Sequence, residues 1–227
     1  MRILLVRHGQ TPANVLGTLD TAAPGPGLTE LGRRQAEAVV DAIGHEAIAG
    51  IYVSRLRRTH ETAAPLAAAL GLTPVELPGT HEIEAGDVEG RSDHDAVRIY
   101  MTTAFAWGTG DLTPTMPGGY DGHAFYSRFD DSIATVAAAH DDDATVVIVS
   151  HGAAIRVWTA QRVEHLGEGF TADTHLDNTG VVVIEGSLDA GWTALSWGGV
   201  PVGGAALADP AAEDPTGETL DEALDDD

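Results

Sequence analysis

Two short apolar runs, far apart in the chain, end in the same way. Ile3-Leu4-Leu5-Val6 runs into Arg7-His8-Gly9, and Val146-Val147-Ile148-Val149 runs into Ser150-His151-Gly152. Apolar runs of this length bounded by polar residues read as buried strands. In an open α/β sheet, ligands bind outside the carboxyl ends of such strands. A chain that buries both runs therefore delivers two histidines to a sheet rim, where they can face one another across a ligand. Arginine fixes phosphate through paired hydrogen bonds, and a neutral imidazole can attack phosphorus.

The segments between and after these runs alternate. Thr29 is placed to cap a helix running to about Ile43. Ile51-Tyr52-Val53 reads as a strand, Leu56 to Leu70 as a helix stopped by Gly71, and Pro74 to Leu77 as a short strand. Residues 12–27 read as a loop, and residues 82–127 as a long irregular stretch. Helices follow over Ala124 to Ala139 and Ala153 to Leu166. The runs at Val181 to Ile184 and Trp192 to Trp197 read as closing strands, a candidate hairpin. Alternating strands and helices predict a three-layer α/β/α sandwich with a mainly parallel sheet. A length of 227 residues suits a single domain, taken as 1–208 with a small inserted lobe at about 91–127. The last nineteen residues, 209–227, hold nine Asp or Glu and read as a solvated acidic tail.

Composition removes several chemistries. There is no cysteine, which excludes disulfides, thiolate metal sites and a cysteine nucleophile. All twelve basic residues are arginine, so a lysine-dependent phosphate loop and Schiff-base catalysis are excluded too. A formal net charge of −23 disfavours nucleic acid and anionic membranes. Against that background Arg7, Arg55, Arg57 and Arg58 concentrate positive charge in two short segments, as an anion pocket requires. No run approaches the ~20 apolar residues of a membrane span, and a cytoplasmic location is expected. The histidines lack metal-ligand spacing, so no metal is expected.

Two further segments complete a constellation. Ser54 to Ala63 places Arg58 where a strand meets a helix, and His81 to Gly90 supplies the carboxylates Glu82 and Glu84 for proton transfer. Taken in order, Arg7-His8-Gly9-Gln10-Thr11 with Asn14, Leu28 to Ala36, Ser54 to Ala63, Glu82 to Gly90, Ser150-His151-Gly152 and Asn178-Thr179-Gly180 resemble the histidine phosphatase superfamily, also called the phosphoglycerate mutase-like family. The match looks closer to its phosphatase branch.

That resemblance implies a histidine acid phosphatase-type phosphomonoesterase acting on a small phosphate ester, without metal or organic cofactor. His8 would be the nucleophile that becomes phosphohistidine. Arg7, Arg58 and a protonated His151 would surround the phosphoryl oxygens, and Glu82 would protonate the leaving oxygen. Thr11, Asn14 and the Gly152 backbone would add hydrogen bonds to phosphate. A phosphoglycerate mutase-type isomerase would use the same intermediate. A non-catalytic binding protein on this fold is a third reading, disfavoured by the complete set of groups. Neither the particular ester nor the oligomeric state follows from the sequence.

Overall fold

The first strand sorts its side chains alternately onto two cores. Leu4 and Val6 pack with Val39, Ile43, Ala63 and Leu66, while Ile3 and Leu5 join Tyr100, Phe129, Ile155 and Trp158. Successive strand residues point to opposite faces, so a run that is apolar throughout needs a helical layer on each side. The computed structural model describes residues 1–167 and 169–224.

In chain order the elements are β1 (Arg2–Arg7), α1 (Pro12–Val15), α2 (Glu30–Ile43), β2 (Ile48–Val53), α3 (Arg57–Leu70), β3 (Val75–Glu76), α4 (His94–Gly108), α5 (Gly122–Ala139), β4 (Thr145–Ser150), α6 (Gly152–Arg162), β5 (Val163–Glu164), α7 (Phe170–Asp173), β6 (Val181–Ser187), β7 (Gly191–Gly198) and α8 (Leu220–Leu224). The sheet order is β3-β2-β4-β1-β6-β7-β5. β3, β2, β4 and β1 run parallel, β6 is antiparallel to β1, and β6 and β7 form the antiparallel hairpin read from the sequence. Helices α2 and α3 cover one face, and α4, α5 and α6 the other. The α/β/α sandwich with a mainly parallel sheet is therefore the observed fold.

The β1–β4 register decides where the chemistry goes. Arg7 lies opposite Ser150, so the next residues, His8 and His151, leave neighbouring strands side by side. The backbone there is pinned: the His8 amide donates to the Ser150 carbonyl at 3.0 Å and the Thr179 amide to the Arg7 carbonyl at 3.1 Å.

Three expectations change. The stretch read as irregular contains α4, whose buried Ala96, Val97, Tyr100, Met101, Ala104 and Phe105 lie three and four residues apart. The glycines that flank this stripe had masked its helical period. The helix predicted to reach Leu166 ends at Arg162, where Val163–Glu164 pairs with β7 instead. The acidic segment, read as solvated, packs against the body through residue 224. Asp214 is 9% exposed, and α8 lies against α4 and α7. Within it, Asp214 pairs with Arg7 at 2.6 Å. No helix among the described residues is long and apolar enough to cross a membrane.

The start of α2 presses on the loop that follows β1. The Thr29 hydroxyl accepts from the Gly32 amide at 2.9 Å, the predicted cap. A Cβ on Gly32 would stand 2.1 Å from the Gln10 carbonyl oxygen. Gly32→Ala must push the helix off that loop and should destabilise the fold by about 3 kcal/mol. Denaturant unfolding checks this; a change below about 0.5 kcal/mol would show that the contact yields freely.

Candidate active site

One small depression at the carboxyl end of β1 and β4 is lined by His8, Thr11, Asn14, Asp20, Arg58 and Glu82, among others. His151 stands beside it, its ring 5.1 Å from that of His8. Arg7, His8, Arg58, Glu82 and His151 are all essentially buried, from 0 to 3% exposed. Five charged or titratable side chains in so small a volume have to be organised by one another.

His8 follows β1 directly. Its Nδ1 lies 2.8 Å from the Gly9 carbonyl oxygen. A carbonyl can only accept, so Nδ1 carries the proton and Nε2 carries the lone pair. Burial, then the charges of Arg58 and Arg7, hold the His8 pKa well below its ordinary value. The imidazole is therefore neutral, in the tautomer a nucleophile needs.

His151 caps α6. Arg58 Nε donates to its Nδ1 at 3.3 Å, which places the remaining proton on Nε2, 2.7 Å from the Ser54 hydroxyl. Burial, followed by the Arg58 charge, pushes its pKa well below the ordinary value. Burial and Arg58 thus disfavour the charged form expected of His151. The reason is tertiary. A second cation beside Arg58 in a buried site is repelled and loses hydration.

Arg58, near the start of α3, reaches back over the pocket. It donates to Asp20 Oδ1 at 3.2 Å and to the Asp20 carbonyl at 2.9 Å. Burial lowers its pKa, against the opposing pull of Glu82 and Asp20. The Arg57 backbone amide at the start of α3 donates to the Pro24 carbonyl at 2.8 Å. Arg55 and Arg57 are turned outward, paired with Glu84 at 3.6 Å and Glu61 at 2.6 Å.

Arg7 is fully buried. It donates to the Leu176 carbonyl at 2.7 Å, to both Asp214 oxygens at 2.7 and 2.6 Å, and to the Thr216 hydroxyl at 2.9 Å. Its Nε is buried without a hydrogen-bond partner. Thr11 and Asn14 form a capping box on α1 and line the same depression; Asn14 Nδ2 donates to Asp214 Oδ1 at 3.1 Å. Gly152 begins α6, where a Cβ would stand 3.0 Å from Arg7 Nε and 2.5 Å from the Thr216 carbonyl oxygen.

The two candidate acids separate cleanly. Glu82 is buried against the start of α6, accepting from the amides of Ala154 at 2.8 Å and Ala153 at 3.2 Å. Burial nevertheless raises its pKa, outweighing those hydrogen bonds and the nearby arginines. Burial also pushes Glu84 upward, but its hydrogen bond to His81 and the charge of Arg128 prevail, and its pKa falls to about 2. Glu84 is thus held as a carboxylate, while Glu82 is poised to carry a proton. Among the described residues, no group of three His, Asp or Glu side chains is arranged to hold a metal ion.

Sequence reasoning missed several members of this site. Asp20 holds Arg58 from a segment read as loop, and burial raises its pKa. Ser54, at the end of β2, fixes the His151 tautomer; its place after a strand, like that of His8 and His151, was a usable signal. Asp214, Pro215 and Thr216 close one wall, and nothing in an acidic tail announces such a role.

Residues 3–199 match the family model of the histidine phosphatase superfamily (branch 1). A PE-PGRS family protein, PE_PGRS11 of Mycobacterium tuberculosis, is 40% identical over 216 residues, covering 89% of this chain; the aligned region is 37% of that protein's length. An adenosylcobalamin/alpha-ribazole phosphatase of Salmonella typhimurium is 32% identical, over 66% of this chain and 74% of its own. Among solved structures, a mycobacterial glucosyl-3-phosphoglycerate phosphatase complexed with VO3 superposes with a TM-score of 0.74. It is 26% identical, with 88% of this chain and 99% of the other covered.

Proposed function

The chain belongs to the histidine phosphatase superfamily, branch 1, and we propose that it hydrolyses small phosphomonoesters through a phosphohistidine on His8. The observation that carries this reading is the pairing of a neutral His8, its Nδ1 proton given to Gly9, with a buried Glu82 whose pKa is raised. One group is ready to attack and the other to protonate, the complementary states that acid–base catalysis needs at one pH.

In the first step the His8 Nε2 lone pair bonds to phosphorus and the ester P–O bond breaks. The Glu82 proton goes to the departing oxygen. The phosphorylated ring gains positive charge, and the Gly9 carbonyl opposite Nδ1 stabilises it. In the second step the Glu82 carboxylate takes a proton from water, the water oxygen bonds to phosphorus, and the P–N bond breaks. Inorganic phosphate leaves, and both residues return to their starting states. Arg7 and Arg58 offset charge on the phosphoryl oxygens in both steps. His151, neutral at rest, takes up a proton as the dianion arrives, since an anion stabilises the imidazolium. Thr11, Asn14 and the Gly152 backbone complete the cradle. All of these groups lie in one domain.

The substrate class is a small ester of a sugar phosphate, phosphoglycerate or nucleotide-like monophosphate. The two phosphatases similar to this chain act, by name, on esters of that kind. The test is turnover of a panel of such esters, including 3-phosphoglycerate, with EDTA present. Free phosphate and isomerised product are followed together. Phosphate release insensitive to EDTA is the expected result. Transfer to a second hydroxyl with little free phosphate would make the protein a mutase instead. Neither product from folded protein would favour a binding role.

A further inference from the structure

We infer that residues 209–219 act as an internal competitor for the phosphoryl group, with the Asp214 carboxylate standing in for phosphate on Arg7 and Asn14. This rests on the phosphatase reading above and adds to it a segment that reading does not need.

The donors come first. Both Asp214 oxygens accept from Arg7, at 2.7 and 2.6 Å, and Oδ1 also accepts from Asn14 at 3.1 Å and from Thr216 at 3.2 Å. Arg7 and Asn14 are two of the groups assigned to phosphate. Both oxygens sit on one guanidinium nitrogen, Nη2, and a phosphate oxygen would compete for that same charged donor. A dianion entering beside an ionised Asp214 would meet like charge with little water between them.

Space points the same way. Asp214, Pro215 and Thr216 wall the depression that holds His8, Arg58 and Glu82. The Thr216 carbonyl presses against Gly152 closely enough that a Cβ there would sit 2.5 Å away. In the proposal, the ester displaces this segment on its way to His8.

The segment carries no strand. The seven-stranded sheet is complete before it begins. Beyond Asp214, its ties to the body include Gln10 to Asp209 at 2.8 Å, Arg156 to the Thr216 carbonyl at 3.1 Å, and the Leu176 amide to the Gly217 carbonyl at 2.9 Å. A segment held by scattered bonds, with no sheet ladder, opens without global unfolding. While it is closed, apparent affinity for substrate falls by the fraction of molecules that are open.

The test uses inorganic phosphate and the full chain, wild type beside Asp214→Asn, with EDTA present. The amide keeps one acceptor for Arg7 and removes the charge. Calorimetry should give about tenfold tighter phosphate binding by the variant. In wild type, saturating phosphate should speed amide hydrogen exchange across residues 209–219, a measurement that needs no variant to fold. Equal or weaker binding by a folded variant, or unchanged exchange in wild type, would overturn the proposal and make the segment a fixed wall. Equal binding would leave the phosphatase reading standing. No phosphate binding by either form would remove both.

Discussion

His8→Ala should lower kcat by roughly 10⁴-fold or more on every phosphomonoester the protein accepts. The substitution removes the only atom assigned to bond with phosphorus, and the neighbouring His151 cannot replace it. His151 directs Nε2 to Ser54 and Nδ1 to Arg58. The fold should survive. His8 lies past the last paired residue of β1, and its backbone bond to Ser150 does not depend on the side chain. Single-turnover measurement with an acid-labile phosphoenzyme trap should find label on wild type and none on the variant. A variant retaining full activity would remove His8 from the chemistry.

Glu82→Gln should divide substrates by their leaving groups. Alkyl phosphates, whose departing oxygen needs a proton, should lose about 10²–10³-fold in kcat/KM, and aryl phosphates far less. The pH profile carries the same signature. His8 must be unprotonated, and its pKa is depressed by burial and two arginines, so the rising limb of kcat/KM lies well below 6.5. Glu82 must be protonated, and burial raises its pKa, so the falling limb lies above 4.5. The amide cannot titrate, so the part of the falling limb owed to Glu82 should vanish in the variant, leaving only the part owed to the proton His151 takes up. Equal losses on both ester classes would move the proton to another carboxylate. The structure names that one as Asp20, which lines the pocket with a pKa raised by burial, and not Glu84, whose pKa is about 2. Asp20→Asn measured alongside separates the two.

The choice between Glu82 and Glu84 illustrates what the sequence carried. Both lie in one segment, and only motif position separated them. In the fold, Glu84 turns toward His81 and Arg128, while Glu82 turns into the pocket beneath α6. Burial pushes both pKa values up from an identical start; only Glu84 has the His81 hydrogen bond and Arg128 charge that bring it down to about 2. The helix α4 was legible in principle, since its buried residues keep helical spacing, but flanking glycines obscured it. The role of Asp214 was not legible at all, because a carboxylate in an acidic tail looks the same whether it meets water or Arg7.

By itself the sequence determined the layered α/β fold and the two strands that end in histidine, and its resemblance to the family singled out Arg7, His8, Arg58, Glu82 and His151. Those follow from local pattern: apolar period, caps and motif order need no knowledge of distant neighbours. Only the tertiary structure decided the states of these groups. The lowered pKa values of His8 and His151, the raised pKa of Glu82 and the carboxylate on Arg7 each depend on burial and on partners remote in the chain. Charge and proton position respond to the electrostatic field at a point in space, and that field exists only once the chain has folded.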